Sequence, residues 1–203
     1  MPKQVDHAAR RQELAEALWR VVGRDGFESV SLRHVAAEAG VSMGLVQHYF
    51  RTKDDMLVFA LDTMEQRTGD RFMAALAELP DPPPPRAAVR AFLTQMLPLD
   101  PERHAENRSL YAMMGGIARS DRIGDRLRAG MVQLQDYVAE QVSDADGPPD
   151  PYRAAAMLIA LTEGLAVHVL GGHLPGYEAV AILDEQLDAV FGPQAGADQP
   201  SSR

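Results

Sequence analysis

Between residues 43 and 53 the sequence gathers side chains suited to nucleic acid. Gln47 carries the amide that pairs with the N6 and N7 edge of adenine in a major groove. Tyr49, Thr52 and Lys53 supply donors for phosphate oxygens, contacts that position a protein on a duplex without specifying its sequence. Gly44 has no side chain to hold a partner at a distance. Val46 and Phe50 are four apart, the spacing of a buried helix face, and this leaves Met43, Gly44, Leu45, Gln47 and His48 turned outward. Arg33 joins Gln47, Tyr49 and Lys53 in the outward polar set.

Two short helices joined by a tight turn must hold these groups. The stretch from Ser31 to Lys53 reads SLRHVAAEAGVSMGLVQHYFRTK. Leu32, Val35, Ala36 and Ala39 recur at helical steps behind Ser31, whose hydroxyl suits an N-cap. Gly40 suits a left-handed helix end, Val41 plugs the angle, and Ser42 caps a second helix that begins at Met43. A Gly-containing turn between two such helices predicts a helix-turn-helix, whose second helix enters the major groove. Thr52 and Asp55 fit a capping box that opens the next helix. Residues 40–44 also match G-x-S-x-G, but a nucleophile elbow needs a strand running into the serine; here the preceding residues are helical, and Ser42 is a cap.

At these residues the chain resembles the TetR family of bacterial transcriptional regulators. The pattern is Gly26-Phe27, Ser31 to Ala39, Gly40-Val41-Ser42, His48-Tyr49-Phe50, Lys53 and Leu57. The resemblance implies a homodimer whose C-terminal helices bind a small molecule that releases DNA. It also implies DNA-binding roles for Ser31, Arg33, Ser42, Met43, Gly44, Gln47, His48, Tyr49 and Lys53. Position 47 is often aromatic in the family and is Gln here, which bears on the bases read.

The net charge of −9 argues against nucleic acid until its distribution is considered. Residues 1–53 hold eight Lys and Arg against six acids, and the rest hold twelve against twenty-three. A mildly basic N-terminal module on an acidic body places the DNA face at the N-terminus. No cysteine occurs, so disulfides and thiolate metal sites are excluded. The N-terminus lacks the apolar run of a signal peptide. Met157 to Leu170, the most apolar stretch, reads as too short to span a bilayer and carries Glu163 and His168. A cytoplasmic protein without a membrane segment is expected.

Helical periodicity and breakers predict an all-α chain of about nine helices. Residues 1–53 form a three-helix DNA-binding domain, 54–192 a helical ligand-binding and dimerisation domain, and 193–203 a disordered tail. Residues 1–7 read as loose, followed by a helix from about Ala8 to Arg24 with Arg10 and Arg11 on the solvent side and Phe27 in the core. A long helix from Lys53 to about Leu79 connects the domains and stops at Pro80-Asp81-Pro82-Pro83-Pro84-Pro85. Further helices are expected at 86–97, 102–119, 121–143, 151–171 and 177–191. The helix at 151–171 is apolar almost all round and must be covered on every side. With the helix at 177–191 it is expected to form a homodimer interface, which makes the operator a palindromic stretch of double-stranded DNA.

Eight of the ten methionines follow Lys53. Methionine adapts to irregular apolar surfaces, so Met96, Met113, Met114 and Met131, with Phe92 and Tyr137, are candidates to line a cavity for a small-molecule effector. Tyr111, Glu163 and His168 are its candidate polar groups. No cofactor, metal site or catalytic residue is expected. His168 and His173 are five apart and do not share a helix face as zinc-binding pairs four apart do. There is no Gly-rich phosphate loop and no H-E-x-x-H, so an enzyme is not indicated. The alternative is a helical dimeric scaffold without specific DNA binding, against which the outward polar set argues.

Overall fold

The computed structural model describes residues 2–114, 121–145 and 148–192. Among them are nine α-helices and no strand, as the periodicity predicted. They are α1 (Pro2–Asp25), α2 (Leu32–Glu38), α3 (Met43–Tyr49), α4 (Lys53–Ala77), α5 (Pro85–Leu93), α6 (Pro101–Met114), α7 (Asp121–Asp144), α8 (Pro151–Leu170) and α9 (Gly176–Phe191). Short 3-10 turns occupy Phe27–Ser29 and Thr94–Met96. The chain forms two compact units, one of residues 1–71 with 98–131 and the other of residues 72–97 with 132 onward. The unit that contains the helix-turn-helix therefore extends past residue 53 and takes in α6 and the first part of α7.

The first unit closes on one apolar core. Leu14, Leu18, Val21 and Val22 of α1 meet Val35, Val46, Phe50, Met56 and Leu57, all nearly free of solvent. Met113 of α6 and Ile123 of α7 complete the cluster. Phe27 is buried there, as its apolar ring requires. Glycines mark two chain reversals: Gly26 (φ 80°) follows α1, and Gly40 (φ 66°) follows α2, both in the region that a Cβ disfavours. Caps fix the starts: the Ser31 hydroxyl accepts from His34 N at 3.2 Å and the Ser42 hydroxyl from Leu45 N at 3.2 Å. The capping box is also formed, with Thr52 Oγ1 accepting from Asp55 N at 3.0 Å and Asp55 Oδ2 accepting from Thr52 N at 3.1 Å.

Two N-terminal expectations change. The helix begins at Pro2, not near Ala8, because nothing between Pro2 and Ala8 breaks it and proline suits a first turn. Arg11 is half-buried, not free on the solvent side. Its guanidinium carbon lies 4.0 Å from the Phe59 ring centroid and 5.3 Å from that of Phe50.

In the second unit α5 docks on α9 through charge as well as apolar surface. Arg90 Nε donates to Asp184 Oδ1 at 2.6 Å, and Arg86 Nη2 lies 2.7 Å from Asp188 Oδ1. Buried Val89, Leu93, Leu158, Ile159, Leu183 and Leu187 make up much of its core. Pro85 opens α5 where its missing N–H has no helical partner to lose. Helix α5 ends at Leu93 rather than Leu97 and continues as the 3-10 turn. Helix α8 is twenty residues long, because the helix runs back from the apolar stretch to Pro151. By length and composition alone the whole helix would suffice to cross a membrane, of which the most apolar stretch, residues 157–170, is only a part. Seven of its residues, Leu158, Ile159 and Leu165 among them, are buried within the protein. The predicted tail at 193–203 and the end of the predicted sixth helix, 115–119, lie outside the described residues.

Candidate nucleic-acid interface

Helix α3 presents one face to solvent. Ser42, Met43, Gly44, Gln47 and His48 are exposed, while Val46 and Phe50 are buried and Leu45 and Tyr49 are half-buried. Leu45 was expected outside and instead lies partly against the unit. A Cβ built on Gly44 would meet only the Ser42 hydroxyl, at 4.0 Å. The fold thus leaves that position open, and the space beyond it belongs to whatever approaches α3. Gly44→Ala is accordingly expected to raise stability by about 0.5–1 kcal/mol, the helix-propensity difference, while weakening DNA binding. Thermal melts and duplex titrations on one sample check it; a variant that gains stability and binds DNA as before would remove Gly44 from the contact surface.

Ion pairs link α2 to α1 at the surface, outside the apolar packing of Val35 and Ala36. Arg20 Nε and Arg24 Nη1 each donate to Glu38 at 2.8 Å. Those hydrogen bonds, Arg20's first and then Arg24's, hold the Glu38 carboxyl below the usual carboxylate range. Ser31 is half-buried and its hydroxyl is engaged in its cap, whereas Arg33 is exposed on α2. His34 Nδ1 is hydrogen-bonded to the Ser29 carbonyl oxygen.

Lys53 is turned inward more than its predicted phosphate role suggested. Its ammonium lies 4.4 Å from the Phe27 ring centroid and donates to the Phe27 carbonyl at 3.3 Å. The lysine thus ties the start of α4 to the turn after α1. His7 is a residue of this surface that the sequence did not reveal. Its ring centroid lies 6.0 Å from that of His48 and 5.5 Å from that of Tyr49, and His48 meets Tyr49 edge-on at 5.1 Å. The missing breaker before Ala8 was the available signal, since a helix from Pro2 carries His7 to α3.

The nine candidate effector-binding residues divide between the units. Tyr111, Met113, Met114 and Met131 belong to the first, and Phe92, Met96, Tyr137, Glu163 and His168 to the second. Met113 is fully buried in the first unit's core, whereas Met114 and Met131 are 45% and 39% exposed. Phe92 and Tyr137 do meet, with Phe72 as a third ring, at centroid distances from 4.8 to 5.8 Å. Glu163 is half-buried, and desolvation raises its carboxyl. His168 is exposed beside a groove between α8 and α9 and packs against His173 at 5.9 Å. The two rings meet despite their five-residue spacing because the chain turns after α8, with Gly172 at φ 70°. Among the described residues no group of three His, Asp or Glu could hold a metal ion.

Comparison with known proteins matches both ends of the chain to family models. Residues 14–58 match the bacterial regulatory proteins of the tetR family, and residues 85–192 match the C-terminal domain of BetI-type transcriptional repressors. The HTH-type transcriptional regulator PksA of Bacillus subtilis is 34% identical, over 84% of this chain and 83% of its own. The HTH-type transcriptional regulator BetI of Brucella suis is 26% identical over 98% of this chain and all of its own. A crystal structure of a transcriptional regulator from Rhodococcus sp. Rha1 superposes with a TM-score of 0.77 at 32% identity, covering 89% of this chain and 95% of that one. With its N-terminal helix-turn-helix, its all-helical body and these relatives, the chain belongs to the TetR family of transcriptional regulators.

Proposed function

We propose that the protein is a homodimeric repressor that holds a palindromic operator and is released from it by a small-molecule effector. The observation that carries the DNA half is the exposed face of α3. It combines an amide reader at Gln47, an open backbone at Gly44 and the flanking donors of Arg33, His48 and Tyr49. Ser31, Ser42, Met43 and Lys53 complete the surface, the serines through the caps that fix each helix and Lys53 through its hold on Phe27. Gln47 takes the adenine edge, and the hydroxyl and cationic groups take phosphates. Acting on chromosomal DNA, the protein works in the cytoplasm.

Dimerisation runs through α8 and α9. Met157, Val167 and His168 on the uncovered side of α8 are exposed, and a groove between the two helices is lined by Leu161, Leu165 and Ile182. A two-fold axis there places two copies of α3 about one helical turn of DNA apart, roughly 34–36 Å. The effector is an amphipathic or cationic molecule. The three rings of Phe72, Phe92 and Tyr137 suit the apolar or cationic part, since aromatic faces attract cations, and Glu163 offers a carboxyl in the same unit. Its binding shifts the population toward a form unsuited to the operator, by no more than its differential affinity for the two forms.

Selection of genomic fragments on the purified protein tests this function. Enrichment of one palindromic sequence is the expected result, with Gln47→Ala losing ~1–3 kcal/mol of discrimination at a single base position. Absence of enrichment from a folded dimer that carries no bound small molecule by mass spectrometry would overturn it.

A further inference from the structure

A cleft of about 410 Å³ in the first unit lies beside the end of α3, walled by Arg11, Tyr49, Arg51 and Arg122 together with Asp55 and Asp62. Its charges do not cancel. Asp55 is matched by Arg122, whose Nη1 donates to Oδ1 at 2.5 Å, while its other oxygen is engaged in the capping box. Asp62 is matched by Arg126, whose Nε donates at 2.6 Å. Each acid of the cleft thus has a guanidinium partner, although Arg126 is shared between Asp62 and Glu65, and Arg11 and Arg51 pair with no carboxylate among the described residues.

Arg11 is also preorganised. Two aromatic rings hold its guanidinium, and its Nε is buried without a hydrogen-bond acceptor. A planar fork fixed in this way, with a donor unsatisfied, matches the bidentate geometry of a phosphate or carboxylate. Leaving such a donor unmet is costly, so an anion that satisfies it gains more than one meeting a solvated lysine. Arg51 is exposed at the rim, and the half-buried Tyr49 brings its phenol from α3. We propose that this cleft is a phosphate-binding site in which Arg11 and Arg51 clamp one phosphate oxyanion, with the Tyr49 hydroxyl as a further donor. The phosphate is either one in the backbone of DNA docked on α3 or a free phosphate group. The DNA source rests on the operator-binding function proposed above; the free source does not.

The test uses the full-length protein and two probes, a labelled mixed-sequence duplex and inorganic phosphate. Duplex affinity is followed between ~50 and ~200 mM salt, where each phosphate contact contributes about one to the slope of log K on log salt. Arg51→Gln and the double variant Arg11→Gln, Arg51→Gln are each expected to lower that slope by about one, with far-UV circular dichroism unchanged. That result assigns a DNA phosphate. An unchanged slope, with inorganic phosphate saturably shifting the arginine Nε–Hε resonances of the unsubstituted protein but not of Arg51→Gln, assigns a free phosphate. If neither occurs, the cleft is not a phosphate site. Should the unsubstituted protein bind no duplex at all, DNA binding fails as a function while the phosphate titration still decides the cleft. That titration also needs no substitution at Arg11, so a folding defect from removing its ring contacts cannot obscure the answer.

Discussion

Gly164→Arg is expected to turn the proposed dimer into monomers and to remove most of the operator affinity with it. Gly164 lies on α8, on the wall of the groove it shares with α9, and a Cβ placed there meets nothing within 4 Å of the chain's own atoms. The substitution therefore has room in a single protomer, and loss of a helical glycine favours the helix by about 1 kcal/mol. In a dimer through α8 and α9 the same guanidinium is driven into an apolar seam. Met157 and Val167, 58% and 50% exposed in the single chain, are the surface that such a seam would cover. An unpaired charge buried there costs roughly 3–5 kcal/mol, which weakens association by about 10²- to 4 × 10³-fold. Monomers engage one half-site at a time and lose the advantage of linked binding, commonly about 10²- to 10⁴-fold. Sedimentation velocity at micromolar concentration, run beside operator titrations, reads both effects. A variant that stays dimeric at the original concentration would move the interface away from α8 and α9.

The helix-turn-helix was legible in the sequence because its signals are local. Ser31, Gly40 and Ser42 each act within a few residues of where they stand, through a cap or a positive φ, and the structure shows all three in those roles. Helical stripes were legible for the same reason: Ile123, Val138 and Val142 share one face of α7 and are buried. Met131 on the same stripe is 39% exposed, since periodicity says which residues share a face and not how far a covering surface extends. The site residues that changed meaning did so through contacts distant in sequence. Arg11 meets Phe50 and Phe59, and Lys53 meets Phe27, across separations no spacing rule addresses. The first unit's extent was hidden likewise. A capping box at Thr52 marks where a helix begins, yet Met56, Leu57, Ala60 and Leu61 beyond it belong to the same core as α1.

Phe50→Ala carries the largest expected effect on the fold of the DNA-binding unit. The ring is 1% exposed, lies 5.5 Å from Phe59 by centroid, and stands where α3 passes into α4. Its removal takes away the buried area and leaves a cavity that α1, α3 and α4 cannot close without moving their caps; such changes cost roughly 3–5 kcal/mol. Against total stabilities of about 5–15 kcal/mol for domains in general, that is a large fraction. It also strips one of the two rings beneath the Arg11 guanidinium. The chain carries its own reporter, because Trp19 is the only tryptophan and packs against this core. Urea unfolding followed by Trp19 fluorescence is expected to shift to a lower midpoint by about 1.5–2.5 M, taking an m value near 2 kcal/mol/M. Phe50→Leu, which keeps most of the volume, should recover more than half of the loss. An alanine variant whose midpoint moves by less than half a molar would mean that α3 is held by its caps and by Val46, and that the aromatic floor under Arg11 contributes little to its placement.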